Sequence, residues 1–182
     1  MSLAGSPIDS FTLGAGAAVR KNYPGQNNGP MFVGSSGQPI LATIRVLFGG
    51  GSYSEMMGLP GTSAAEFYIF PWYDNVGADT QVRVSNIGGS STTITVSLNG
   101  SPIDSYSLGA GAAIRKNYAA LNNGDLHVES SGQPILATER ILYGGTSFYE
   151  LMGFPVNVLT STQYFPWYNN TAMNSQLRFT VP

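Results

Sequence analysis

The segment GSPIDSFTLGAGAAVRKNY, starting at Gly5, returns as GSPIDSYSLGAGAAIRKNY starting at Gly100. The 95-residue offset then holds without a gap: SSGQPILAT recurs at Ser35 and Ser130, FPWY at Phe70 and Phe165, and Gln81/Arg83 returns as Gln176/Arg178. More than half of the overlapping positions are identical. A chain that repeats its own sequence repeats its structure, so the 182 residues are expected to form two copies of one small unit. With 42% hydrophobic residues, each copy can build a core, which argues against a disordered chain.

The apolar pattern has a period of two. Val82 and Val84 alternate with Gln81, Arg83 and Ser85, and Ile94, Val96 and Leu98 alternate with Thr93, Thr95 and Ser97. That is the mark of half-buried antiparallel strands. Asn86-Ile87-Gly88-Gly89-Ser90-Ser91 lies between them and predicts a hairpin. Asp104–Leu108, Ala112–Tyr118, Asp125–Ser130, Pro134–Tyr143 and Tyr164–Trp167 are further strand candidates, bounded by Gly, Asn or Pro clusters. Short strands at such turn spacings predict an all-β protein of tandem β-sandwiches. Ser52-Tyr53-Ser54-Glu55 and Ser147-Phe148-Tyr149-Glu150 both fit a capping box followed by Gly and Pro, predicting one helical turn in each copy. Two divisions fit the repeat. One has units 1–87 and 88–182, the first lacking its leading hairpin arm. The other has a complete unit at 68–163, with 1–67 and 164–182 pairing within the chain or by strand exchange between chains.

Comparing the copies sorts the charges. All eight Lys and Arg fall into matched pairs, Arg20/Arg115, Lys21/Lys116, Arg45/Arg140 and Arg83/Arg178. Of the acids only Asp9/Asp104 and Glu55/Glu150 match. A reaction run by each copy would keep its carboxylates in both, so the drifting acids point away from an enzyme. Asp9 with Arg20 and Arg45 with Glu55 are expected as ion pairs or backbone anchors that set geometry more than they add energy. Glu139 replaces Ile44, which suggests that this strand face is partly wet or that it makes a contact between copies on one side only.

Reactive side chains are scarce. There is no cysteine, hence no disulfide, thiolate zinc site or thiol nucleophile. His127 is the only histidine and stands where the first copy has Phe32, which reads as a packing position. A net charge of −2 offers no footprint for nucleic acid, and no run of 18 apolar residues predicts membrane insertion. The GAG segments at Gly14 and Gly109 lack the spacing of a phosphate loop and read as turns. Asp74, Asn75 and Asp79 have the clustered oxygens a calcium ion wants, but the second copy has Asn169, Asn170 and Asn174. An Asx-rich turn, with no metal or cofactor, is expected. Trp72, Tyr73, Trp167 and Tyr168 form the densest aromatic clusters. They suit a core plug, a contact between copies, or a platform stacking on a sugar ring.

The run FPWYDN, TQVRVSN, GGSS, TTITVSL, GSPIDSYSLGAGAAIRKNY, SSGQPILATERILYGG and SFYELMG resembles tandem immunoglobulin-like repeats of secreted or surface-attached bacterial proteins, of the kind found in Chloroflexi. The resemblance spans nearly the whole chain and rests on fold and turn markers, with no catalytic residue to carry over. It implies an extracellular or cell-surface location within a larger exported protein. The expected role is a non-catalytic spacer or adhesion module whose partners are neighbouring repeats and a cell-surface glycan or protein. The alternative is a carbohydrate-binding module acting through the loop aromatics Trp72, Tyr73, Trp167 and Tyr168.

Overall fold

A computed structural model describes residues 1–27, 29–122, 124–166, 168–171 and 174–181. Its strands in chain order are β1 (Ser2–Leu3), β2 (Ser6–Pro7), β3 (Met31–Phe32), β4 (Thr43–Phe48), β5 (Ser52–Met57), β6 (Phe67–Phe70) and β7 (Asp79–Asn86). They continue with β8 (Thr92–Leu98), β9 (Ser101–Leu108), β10 (Ala113–Asn117), β11 (Leu126–Ser130), β12 (Ile135–Tyr143), β13 (Ser147–Met152) and β14 (Phe154–Pro155). Single 3-10 turns at Gly61–Ser63 and Val156–Val158 are the only helical pieces among the described residues.

The protein is all-β and its strand pairings are antiparallel. One sheet runs β10-β7-β12-β13 and a second runs β14-β6-β11-β8-β9. The period-two pattern explains their packing: along β7 Thr80, Val82, Val84 and Asn86 point inward, and along β8 Ile94, Val96 and Leu98 do the same. The two inner faces meet in a sandwich core with Tyr68, Phe70, Tyr73, Leu126, Val128 and Ile135. Each fully buried side chain of this size contributes about 1.5–3 kcal/mol relative to exposure. The buried hydrophobic cluster lies wholly within residues 65–137. Residues 87 and 88, one proposed division point, lie between β7 and β8 on opposite sides of this core.

Two expected local structures are corrected. Asn86–Ser91 is no hairpin: β7 pairs with β10 and β12, while β8 pairs with β9 and β11, so the segment crosses from sheet to sheet. Turn residues tell where a chain reverses, but not whether the flanking strands share an edge. Here both strands have an apolar face to bury, and each buries it against the other. The crossing is pinned by buried Asn86, whose Nδ2 donates to Ser90 O (2.8 Å) and Leu108 O (3.0 Å) while Oδ1 accepts from Gly88 N (2.9 Å).

The one-turn helices at the S-x-x-E segments are likewise absent. Ser52–Met57 and Ser147–Met152 are strands, each paired with the strand before it in the same register. A four-residue capping signature competes here with strand pairing across a tight Gly49-Gly50 or Gly144-Gly145 turn. Three residues, 49–51 or 144–146, separate the last paired positions, and the first two, both glycines, take positive φ. The glutamates serve arginines instead of a helix end. Glu55 binds Arg45 at 3.2 Å, and Glu150 binds Arg83 at 3.1 Å and Arg140 at 3.5 Å.

Residues 1–57, the head, carry reduced versions of the sandwich pairings. β1 pairs with β2 and β3 in the registers that the end of β8 has with β9 and β11. β4 and β5 repeat the β12–β13 register pair for pair. Residues 160–181, the tail, form no strand among those described, so the expected strand at Tyr164–Trp167 is not found at Tyr164–Pro166, and Trp167 lies outside the described residues.

Candidate functional site

The FPWY loop after β6 places its aromatics in two environments. Tyr73 is fully buried. Its hydroxyl donates to Thr80 O (3.0 Å) and accepts from Tyr118 N (3.1 Å), tying the loop to both flanking strands. Its ring has no face open to a sugar. Trp72 is half-buried at the surface, with the Arg178 guanidinium 5.4 Å from its ring centre. Tyr168 is exposed and donates to Ser175 O at 3.2 Å, and Trp167 lies outside the described residues.

Asp74 forms an Asx turn. Its Oδ1 accepts from Val76 N (2.9 Å) and Gly77 N (3.0 Å), and these bonds, with Arg178 nearby, hold its carboxyl below the usual range. Asn75 spends its Oδ1 on Thr80 N (3.1 Å) and its Nδ2 on Asn117 (2.6 Å). Asp79 accepts from Asn117 Nδ2 at 2.5 Å. The three oxygens thus belong to a hydrogen-bonded turn joining β6–β7 to the end of β10.

Sequence reasoning missed Glu139. Instead of marking a wet face, it points inward from β12 with 2% exposure, in line with Ile135 and Ala137. Burial pushes its carboxyl up to about 8 from 4.5, against the pull of Arg178. Its Oε1 has no hydrogen-bond partner. It lies at the base of a cleft of about 190 Å³ whose walls include Trp72, Asp74, Thr80, Tyr143 and Arg178. The signal was the copy difference itself: a carboxyl at an inward position of one copy, an isoleucine in the other.

The matched charges pin the scaffold, with one partner corrected. Asp9 pairs with Lys21 (3.2 Å) and Tyr23 (2.8 Å), not with Arg20. Asp104 repeats this with Lys116 (3.1 Å) and Tyr118 (3.1 Å). On β10 adjacent residues face opposite ways, so Arg115-Lys116 can offer only one of its cations to a given face, and Arg20-Lys21 makes the same choice in an irregular segment. Burial raises the Asp104 carboxyl, but the hydrogen bonds from Lys116 and Tyr118 outweigh it and leave the group below its usual value. His127 Nε2 lies 2.8 Å from Asp125 Oδ2, and its ring packs edge-on against Phe67.

A second surface joins the head to the sandwich. β5 runs beside the outer edge of β13, its counterpart in the other copy. Ser52 Oγ accepts from Phe148 N (3.0 Å) and Ser54 Oγ accepts from Glu150 N (3.2 Å). Both hydroxyls also lie 3.5 Å from the carbonyls of the same residues. Phe48 stacks on Phe148 with ring centres 5.7 Å apart. Alternate residues of β13 turn their backbone away from β12, and it is these that the serine side chains satisfy.

No family model matches the chain, and no curated protein does. A solved structure described as the crystal structure of Thermotoga maritima 1070 is similar at 12% identity and a TM-score of 0.44, over 50% of this chain and 95% of that one. No helix among the described residues is long and apolar enough to cross a membrane.

Proposed function

We propose that the chain is a non-catalytic structural unit of a repeat protein outside the cell or at its surface, acting as a spacer or adhesion module. The observation that carries this reading is the seam between β5 and β13, where equivalent strands of the two copies lie side by side. A unit that meets its neighbour through a fixed pair of strands sets a repeat geometry, and such a stack holds whatever follows it at a defined distance. The charges retained in both copies support the same role. Asp9, Lys21, Arg45, Glu55 and their counterparts are used in ion pairs within the scaffold. The location follows the resemblance of the repeat to surface-attached bacterial modules. Neighbouring copies are the first partners, and a surface glycan or protein the second.

The cleft beside Trp72 favours a second reading, a carbohydrate-binding module, because an aromatic face next to carboxyl and guanidinium groups suits a sugar. Retention on cell-wall polysaccharide and a glycan array separates the two. No retention is expected. Clear retention that disappears when Trp72→Ala and Trp167→Ala are introduced overturns the structural reading in favour of the second.

A further inference from the structure

Head and tail carry complementary halves of a second sandwich. By the 95-residue offset, Phe165, Leu177 and Phe179 of the tail stand for Phe70, Val82 and Val84, which are all 0% exposed in the core. In the tail they are 70%, 56% and 84% exposed. Leu3, Leu13, Met31, Val33 and Ile40 of the head stand for Leu98, Leu108, Leu126, Val128 and Ile135, the core positions of the other strands. Neither piece has a core alone, whereas together they cover most of one.

We propose that Thr162–Phe165 and Asn174–Val181 of one copy of this chain pair with residues 1–57 of a second copy, taking the places that β6 and β7 hold in the central sandwich. The proposal rests on the structural-module reading and names its partner. The central pairings supply the register. β7 lies against β12 with Val82 opposite Glu139 and Val84 opposite Ala137, and β6 lies against β11 with Ile69 opposite His127. Translated, Leu177 meets Ile44, Phe179 meets Ala42, and Tyr164 meets Phe32. The head is a ready template, because β1–β3 and β4–β5 already hold the sandwich registers and β4 has its other edge open.

Charge complementarity points the same way. In the sandwich Glu150 receives two guanidinium groups, from Arg140 of its hairpin and Arg83 of β7. Its counterpart Glu55 receives Arg45 of its own hairpin. The counterpart of Arg83 is Arg178, which rests over Trp72 and comes opposite Thr43, beside Arg45, in the paired register. The tail's present hold on the sandwich is by single side chains, Arg178 on Trp72 and Thr180 Oγ1 on Asp125 (2.8 Å), which a strand ladder would outweigh.

The seam decides between the same chain and another. β5 contributes side chains and β13 contributes backbone, with Ser52 at Phe148 and Ser54 at Glu150, a stagger of one residue from equivalence. Such a contact is heterologous. Closing one chain on itself would relate two units by a two-fold axis, with the contact made identically from both sides. A heterologous contact instead carries each unit onward, so the tail meets the head of a different copy.

The chain has no cysteine, so introduced thiols report pairing directly. Ile44→Cys and Leu177→Cys proteins, mixed and oxidised, are expected to give at least about tenfold more disulfide-linked dimer than Thr43→Cys with Leu177→Cys, since a one-residue slip turns the thiol to the other face. The wild-type chain is expected to sediment as concentration-dependent oligomers, and Phe179→Asp, on an exposed residue, to make it monomeric with an unchanged thermal transition. A wild-type monomer at all concentrations, or a double-cysteine chain that closes on itself, overturns the proposal. A folded monomer without glycan retention sinks the strand exchange alone. Retention lost with Trp72→Ala sinks the structural-module reading whether or not the copies pair.

Discussion

Residues 6–22 and 101–117 differ at only three positions, yet they are built differently. In the second, Ser101–Leu108 is an eight-residue strand and Ala113–Asn117 a five-residue one. In the first, only Ser6–Pro7 is a strand, and Ala18–Asn22 is irregular. Propensity cannot account for this, because the side chains are nearly the same. What differs is the neighbour. β9 has β8 along its whole length and β10 has β7, whereas β2 has the two residues of β1. Strand formation in this protein is a property of a pair, and the pattern of apolar residues only says which face each partner will turn inward.

The same substitution made in the sandwich and in the tail should have very different effects. Phe70→Ala empties the middle of the core and is expected to destabilise the sandwich by about 3–5 kcal/mol. Phe165→Ala, its counterpart in the tail, is expected to shift stability by less than about 0.5 kcal/mol in dilute solution. Thermal or urea unfolding of both variants checks this, and equal effects would mean that the tail is already packed.

A smaller effect comes from Glu139 and Ile44. The buried Glu139 carboxyl keeps its proton up to about 8, while in the unfolded chain it ionises near 4.5. Between those values the folded state holds a proton that the unfolded state has released, so stability falls as pH rises across that window and levels off above it. Glu139→Ile, which installs the first copy's residue, is expected to flatten this slope and to add on the order of 3 kcal/mol near the alkaline end. Ile44→Glu, on an exposed strand, is expected to introduce no slope. Urea unfolding across the pH range reads both.

The smallest effect tests the seam. Ser54→Ala strips a hydrogen bond from buried Glu150 N and is expected to cost about 1 kcal/mol, with faster amide exchange at Glu150. Ser147→Ala, at the exposed counterpart of Ser52, is expected to change stability by no more than about 0.5 kcal/mol.

Much of the fold was legible because alternation is a local signal. The strands at 79–86 and 92–98 follow from it within a few residues, and those at 101–108, 113–117, 126–130 and 135–143 from the Gly, Asn and Pro clusters that bound them. What was not legible depends on partners distant in sequence. Asn86–Ser91 has turn chemistry in either a hairpin or a sheet-to-sheet crossing, and only the burial of both flanking strands decides. The Ser-x-x-Glu segments satisfy a helix cap on paper, but Arg45 and Arg140 on the neighbouring strands claim the glutamates. At the candidate site, Trp72 and Tyr73 are adjacent in sequence, yet one is half-buried and the other fully buried, a distinction set by which face of the loop meets Thr80 and Tyr118.

The serines of β5 have one more consequence, for what the molecule keeps away. A bare strand edge is a template for any passing backbone, and sheets that leave one exposed tend to grow without limit. Along β13, Ser52 and Ser54 occupy the outward amides of Phe148 and Glu150, so a stray strand would have to evict them first. The remaining margins of the sandwich are guarded in other ways. β9 carries Pro102 as its second residue, opposite a bulge at Val96/Ser97, β14 ends in Pro155, and β10 carries Arg115 and Lys116. The margins of the sandwich are thus made inhospitable to indiscriminate fibre growth.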